Sequence, residues 1–193
     1  WKDNFYATAL RSKGNVKQTT VVNGQIVNLT EYQATANRYE LGASAGYKFD
    51  ERSYLVGAVR YENDDFSPFD YQAVLSLGYG YTAIKNSRTE LSFEVGPGYK
   101  RYKPLNGSSD GEAVGRGLIA FKHQITDTTA FQDTFLVEAG SNNTFFQNDA
   151  GLVVSMNSRL ALKVGYQVRH NSEVGAGIKK TDQLVTTNLV YNF

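Results

Sequence analysis

The residues of this chain that best suit nucleophilic catalysis are His170 and Ser172, which stand two positions apart. A histidine can take the proton of a serine hydroxyl and so activate its oxygen against an acyl ester. Residues two apart in an extended strand point to the same face, so the spacing is compatible with that chemistry. A carboxylate would have to orient the histidine, and Glu173 and Asp182 are the candidates. The simpler interpretation, which the polar neighbours favour, is that the pair marks the entry to a loop.

The stretch from Arg169 to Glu173 resembles the arrangement in lipid A 3-O-deacylases, in which a histidine activates a serine. Those enzymes carry asparagine directly after the serine, where this chain has Glu173. The resemblance implies a lipid-modifying enzyme, an acyl-ester hydrolase, as an alternative function with His170 and Ser172 as catalytic residues. The other histidine, His123, is expected at a strand end on the apolar face, as an interfacial residue.

Carboxylates cluster in two of the connections between apolar segments: Asp64, Asp65 and Asp70 in one, Asp110 and Glu112 in the other. Carboxylate oxygens can bind Ca²⁺ or bridge lipopolysaccharide through divalent cations. Solvated acidic loops are the simpler interpretation, so no metal site is predicted and Asp64, Asp65 and Asp70 remain only candidates. No cofactor is predicted, because the glycine pairs of the chain lack the strand-to-helix context of a phosphate-binding loop.

Another set of charged residues alternates with apolar residues along segments of the chain. Its members are Glu40, Arg60, Glu94, Lys100, Arg116, Lys122, Glu138, Lys163 and Arg169. The alternation assigns them to one face of a sheet, together with many Gly, Ser and Gln residues. If that face encloses a narrow interior, charges of both signs must pair there, because an unpaired buried charge is costly. We therefore predict a charge-paired lumen.

Strands must position these residues, because period-2 alternation runs through almost the whole chain and helical periodicity is scarce. The segment from Leu160 to Arg169 is a sharp example, with every second residue apolar. Asp133 is a misfit on the apolar face of its segment. About ten such segments are present, each close to the ~9–11 residues that a tilted strand needs to cross a bilayer. No run of about 18 apolar residues exists, so no transmembrane helix is expected.

The connections between these segments alternate in length. The short ones are 50–52, 85–88, 126–129 and 157–159; the longer ones are 12–31, 63–70, 103–112 and 171–182, with a shorter 141–144 among them. This asymmetry is typical of outer-membrane barrels and predicts that the short turns and both termini face the periplasm. Asn23-Gly24 between β-branched runs is a strong hairpin signal, so the first two strands are expected to project beyond the membrane as a ribbon.

Composition narrows the protein class. The 193 residues suffice for one domain, predicted to span 1–193, and the net charge of +1 offers no basic surplus for nucleic acid. The absence of cysteine excludes disulfides and thiolate chemistry.

A soluble β-sandwich or lipocalin-like barrel is the alternative fold. Aromatic residues near strand ends and charges beside glycines on the opposite face favour a transmembrane barrel. We predict an all-β, closed antiparallel transmembrane β-barrel of about ten strands, with short periplasmic turns and long extracellular loops.

Several stretches resemble the YdiY-like salt-induced outer-membrane protein family, a domain family of unknown function. They are YLVGAVRYEND (54–64), FDYQAVLSLGYGY (69–81), LSFEVGPGY (91–99), KKTDQL (179–184) and the closing LVYNF (189–193). The resemblance implies an outer-membrane location, and a barrel of twelve strands if an N-terminal hairpin is missing from this chain. The ending with Tyr191 and Phe193 resembles the signal by which the barrel-assembly machinery recognises its substrates.

The predicted function is that of a bacterial outer-membrane barrel of structural, narrow-pore or partner-docking type, and not of an enzyme. A wide porin would need about 16 strands, more than this chain can supply. The expected partners are outer-membrane lipid and lipopolysaccharide, the barrel-assembly machinery during biogenesis, and an envelope protein docked at the ribbon; no nucleic acid is expected.

Overall fold

A computed structural model describes residues 2–22, 25–65, 69–104, 107–174 and 179–191. Ten β-strands account for nearly all of them. Their bounds are β1 Lys2–Val22, β2 Gln25–Lys48, β3 Ser53–Asp64, β4 Phe69–Lys85, β5 Thr89–Pro104, β6 Asp110–Gln124, β7 Thr129–Gly140, β8 Thr144–Ser155, β9 Leu160–Asn171 and β10 Thr181–Tyr191. Within these ranges the chain contains no helix long and apolar enough to cross a membrane. The all-β prediction with ten strands is confirmed.

The strands form one curled sheet in which each strand pairs antiparallel with the next along the chain. The end strands β1 and β10 pair with β2 and β9, and no register joins β1 to β10 among the residues described. The expectation of a closed sheet was therefore wrong for this part of the chain. Alternation assigns residues to faces, but closure depends on strand number and shear, which a period-2 pattern does not encode. Whether a further hairpin completes twelve strands stays a prediction.

The two faces of the sheet have opposite chemistry. On the convex face, Leu75 and Val95 are each 66% exposed and Val185 is 71% exposed. On the concave face, Arg60, Glu138 and several other charged residues are buried. Soluble proteins bury apolar side chains and expose charged ones, whereas this sheet does the opposite. That arrangement is typical of a barrel wall with lipid outside and polar groups inside. Aromatic residues lie at strand ends, where Tyr47 and Phe49 pack edge to face with their centroids 5.6 Å apart.

Four short turns, at one end of the sheet, share one hydrogen-bonding device. Their first polar residues are Asp50, Asn86, Thr126 and Asn157, and each side chain accepts N–H groups two and three positions later. A side-chain acceptor at this position replaces part of the turn's backbone pairing. The two N–H groups that Asp50 accepts hold the pKa of its carboxyl below the ordinary value.

The opposite end differs from the sequence prediction. The predicted loop 12–31 lies mostly within β1 and β2, which pair with one another from Lys2 to Val22 with a register shift at Ser12/Lys13. Because β2 pairs with β3 only from Arg38 onward, the ribbon runs past the neighbouring strand as the Asn-Gly pattern predicted. Val22 pairs with Gln25, and the turn residues 23 and 24 lie outside the described residues.

Glycine permits a close approach of the two backbones between β4 and β5. A Cβ at Gly96 would overlap the carbonyl oxygen of Leu77 and the Cα of Gly78. The residues between Ser76 and Tyr79 drop out of the β4–β5 register at this point. The absence of both side chains therefore lets the two backbones approach and the sheet bend around its interior.

Candidate functional site

The centre of the interior is an ion-pair cluster built on Arg60 of β3. Its guanidinium donates to Glu62 on the same strand at 2.7 Å and makes two bonds to Glu138 of β7, one of them at 3.2 Å. Arg60 is 6% exposed and Glu138 2% exposed. Seventy-eight positions separate Arg60 from Glu138, so this contact crosses the interior between two non-neighbouring strands.

A second guanidinium joins the same cluster from β9. Arg169 donates to Glu62 and lies 4.0 Å from Asp64, at the end of β3. The fully buried Phe145 ring is 4.7 Å from the Arg60 guanidinium carbon and 5.0 Å from that of Arg169. Contacts of this kind between a guanidinium and an aromatic face are favourable and orient the cation. The ring thus fixes both arginines above β8, while their carboxylate partners hold them from β3 and β7.

A relay of polar side chains continues the cluster across β2, β9 and β8. Arg38 donates to the Gln167 oxygen at 2.8 Å, Gln167 donates to Asp149 at 2.6 Å, and Gln147 donates to the same carboxylate at 2.7 Å. The Gln167 amide thus links a cation and an anion that do not touch.

Glu40 of β2 completes the cluster. It faces inward beside Glu62 and accepts a hydrogen bond from the Tyr6 hydroxyl at 2.8 Å. The Tyr6 ring occupies the space that a side chain at Gly42 would take.

The interior bar is the name used here for Arg60, Glu62, Glu138, Phe145 and Arg169. It ties β3 to β7 and to β9 across the concave side of the sheet. A closed barrel of about this strand number has an interior only wide enough for side chains or a small passage. Charged groups that reach across such a space and pair there leave little room for a solute at that level.

The surroundings of the bar are richer in carboxylates than in cations. Counting the bar, the relay, Glu40 and Asp64 together, the cations are Arg38, Arg60 and Arg169, and the carboxylates are Glu40, Glu62, Asp64, Glu138 and Asp149. Three positive and five negative groups leave a formal excess of two negative charges at this level.

A second ionic group lies nearer the ribbon end of the sheet. Lys100 of β5 is 3.5 Å from Glu112 of β6, and its ammonium is 5.2 Å from the ring centroids of Phe69 and Tyr102. Glu112 also accepts hydrogen bonds from Ser141 and from the Asn142 backbone, at 3.0 and 2.8 Å. These bonds anchor the β7–β8 connection to β6.

A third pair lies toward the short-turn end. Arg116 of β6 donates to Glu94 of β5 at 3.0 Å, and the Tyr54 hydroxyl donates to the other Glu94 oxygen at 3.0 Å. The interior therefore holds three groups of paired charges.

The structure places the predicted interior charges as follows. Glu40, Arg60, Lys100, Glu138 and Arg169 are buried on the concave face.

Glu94, Arg116 and Lys163 are partly exposed, whereas Lys122 is exposed near the end of β6. The site residues predicted from the sequence did not include Arg38, Gln167 and Asp149, which form the relay. Arg38 is two residues before Glu40, so the alternation along β2 could have assigned it to the interior face. It precedes the first residue at which that alternation is clear in the sequence.

The histidine–serine pair is not assembled as a catalytic unit. The His170 Nδ1 atom bonds the Thr181 hydroxyl at 2.8 Å, whereas the Ser172 oxygen accepts the Thr144 N–H at 2.9 Å and donates to Asn143 at 3.3 Å. β9 ends at Asn171, so strand alternation does not extend to Ser172, and the shared face of the two residues stays a prediction.

The proposed acidic metal candidates point to separate partners. Asp64 is the last residue of β3, faces Arg169 and is not in a loop. Asp65 accepts a hydrogen bond from Asn37 at 2.6 Å, and Asp70 pairs with Lys103 at 2.8 Å. In the described ranges no group of three His, Cys, Asp or Glu side chains is arranged to hold a metal ion.

Phe193 and the side chain of Tyr191, the predicted assembly signal, lie outside the described residues. His123 faces outward, bonds the Thr89 hydroxyl at 2.9 Å and stacks on Phe121.

Comparison with known proteins now identifies the family. A family model described as "Protein of unknown function, DUF481" matches residues 1–193. The chain belongs to this family. The resemblance inferred from the sequence motifs is thereby confirmed.

A curated relative and a solved structure extend the comparison. The chain is 27% identical over 161 residues to "Uncharacterized protein YdiY" of Escherichia coli (strain K12), covering 83% of this chain and 64% of that protein. The aligned region is thus less than two thirds of the relative's length. The NanC porin in a rhombohedral crystal form matches with a TM-score of 0.60 at 11% identity, covering 99% of this chain and 98% of that one. The fold is therefore porin-like, of the outer-membrane β-barrel type.

Proposed function

We propose that this protein is a narrow outer-membrane pore that the interior bar keeps closed at rest. The observation that carries the proposal is the contact of Arg60 with Glu138 and of Arg169 with Glu62 across the concave side of the wall. The porin-like fold and the exposed apolar face support a position in the outer membrane. In that position the short turns and both termini face the periplasm and the ribbon faces outward.

Ion pairs suit a removable barrier better than a permanent plug. A buried pair holds its geometry while both partners are present, but it adds little net stability over well-packed apolar side chains. An interior selected only for stability would be filled more simply by such apolar side chains. Here the buried residues also include small polar side chains, among them Ser76 and Ser92.

Planar-bilayer recording tests the proposal. Replacing the four charged bar residues Arg60, Glu62, Glu138 and Arg169 by serine removes two cations and two anions, so the net charge of the interior is unchanged. Discrete conductance steps are expected for this four-serine variant, whereas the natural sequence is expected to remain closed for most of the recording. A Phe145→Ala variant keeps the ion pairs, so its openings are expected to be rarer than those of the four-serine variant.

The matched control removes an ion pair outside the interior. Lys103 and Asp70 form a pair whose side chains are 42% and 45% exposed, so Lys103→Ser with Asp70→Ser should leave the recording unchanged. Folding of every variant is checked by the strand signal in circular dichroism. Folded four-serine protein without conductance steps would show that the interior is sealed by more than the bar, and would overturn the pore proposal.

A second candidate function rests on the ribbon. The described part of β2 that precedes Arg38 pairs only with β1, and β1 pairs only with β2. Each side of this ribbon therefore leaves an edge for another strand. An isolated two-stranded ribbon is marginally stable in water, so a docked envelope protein would stabilise it. Deleting residues 19–27 should then abolish co-purification of that partner, and its retention would argue against docking.

A further inference from the structure

Asp133 places a carboxylate on the apolar side of the wall. Asp133 lies two residues from both Phe131 and Phe135, so the three side chains share one face of β7. The buried Glu138 lies on the opposite face, toward the interior. Asp133 pairs in register with Phe121 on one side and with Ala150 on the other. Its carboxylate accepts a hydrogen bond from the Asn148 amide of β8 at 2.7 Å, and Asn148 also faces outward.

The pair lies well inside its strands, away from their ends. Asp133 is the fifth residue of a twelve-residue strand, and Asn148 is the fifth residue of the antiparallel neighbour. Each lies at least four residues from a strand end, or about 13 Å along the strand. Polar groups at this depth are unfavourable against hydrocarbon, and such residues in membrane proteins usually face protein.

We propose that the outer face of β7 and β8 is the interface between two copies of this chain in the membrane. A two-fold axis along the membrane normal places Asp133 and Asn148 of both copies at the same depth by symmetry. The pair is also self-complementary. The second N–H of Asn148 and the second oxygen of Asp133 make no bond with other described residues, so each can meet its counterpart in the other copy.

The surroundings of the pair suit close contact. Ala150, directly across from Asp133, adds only a methyl group, so a second wall can approach the polar pair. Phe135 and Phe146 pack with their centroids 6.1 Å apart beside it, and aromatic residues are enriched in protein interfaces. The inference goes beyond the proposed pore: it requires a membrane position but no conductance.

Cysteine cross-linking tests the interface, because the natural sequence contains no cysteine. Ala150→Cys in purified protein reconstituted into phospholipid vesicles should give a cross-linked dimer with a short thiol-specific bifunctional reagent. Leu75→Cys on β4 is the matched control. Leu75 is also exposed on the convex face of the sheet but lies outside the proposed interface. Equal cross-linking of both variants, or of neither, would overturn the proposal.

A second variant separates the polar pair from the surface around it. Asp133→Leu with Asn148→Leu removes two symmetric hydrogen bonds from the dimer, which should lower its association constant in mild detergent by about tenfold. Light scattering coupled to size exclusion measures the mass, and circular dichroism checks the fold. A monomeric natural protein, an unchanged dimer of the double variant, or a complex that requires a different protein would each contradict a second copy at this face.

Discussion

Removing the Glu138 carboxylate should destabilise the folded wall strongly. The side chain is 2% exposed and receives two bonds from Arg60. Breaking a buried pair by removing one partner costs about 3–5 kcal/mol, because the remaining charge stays buried. Arg60 keeps its bond to Glu62, so Glu138→Gln should fall at the lower end, about 3 kcal/mol. That loss corresponds to roughly a hundredfold change in the unfolding constant.

Equilibrium unfolding in guanidinium measures this loss, with the protein refolded in detergent micelles and followed by its strand circular dichroism. Asp70→Asn is the control, because it alters an exposed ion pair and should leave the unfolding midpoint where it is. The double variant Arg60→Met with Glu138→Leu should be more stable than either single variant, since apolar replacement removes both buried charges. A Glu138→Gln protein within about 1 kcal/mol of the natural one would refute the reasoning.

Three further predictions concern curvature, turns and selectivity. Gly96→Ala should lower the yield of folded protein sharply because its Cβ meets backbone, whereas Gly57→Ala has open space and should fold normally; equal yields would contradict the account of the bend. Asn157→Ala removes the acceptor for two N–H groups and should cost about 1 kcal/mol in guanidinium unfolding, a loss that Ser158→Ala should not reproduce. In the four-serine variant, the excess carboxylates around the bar should make K⁺ more permeant than Cl⁻ by reversal potential. Neutralising Glu40 and Asp149 should remove that preference, and an anion-selective current would contradict the charge distribution.

The faces of the strands could be predicted from the sequence because alternation is a local property. Leu160 to Arg169 has the predicted parity in β9, and Asp133, the misfit of its segment, does face outward. The length of β1 and β2 was underestimated, since their distal part is polar enough to resemble a loop. The Asn-Gly turn signal nevertheless predicted that this part forms a ribbon.

Partners across the interior could not be predicted in the same way. The contact between Arg60 and Glu138 depends on how far the sheet curls and on the register of five successive strands. Neither quantity appears in the alternation of a single strand. The same limit explains why Arg169 and Glu62 were not matched from sequence and why closure between β1 and β10 was wrongly expected.

Exchange of the two charges that cross the interior tests the closed-pore account most directly. Glu138→Arg places two guanidinium groups together and should open the pore in planar-bilayer recordings. Adding Arg60→Glu restores an ion pair of reversed polarity between β3 and β7, and the account predicts that the conductance steps become rare again. An exchange variant that conducts as freely as Glu138→Arg alone, or a natural protein that is open throughout, would contradict it.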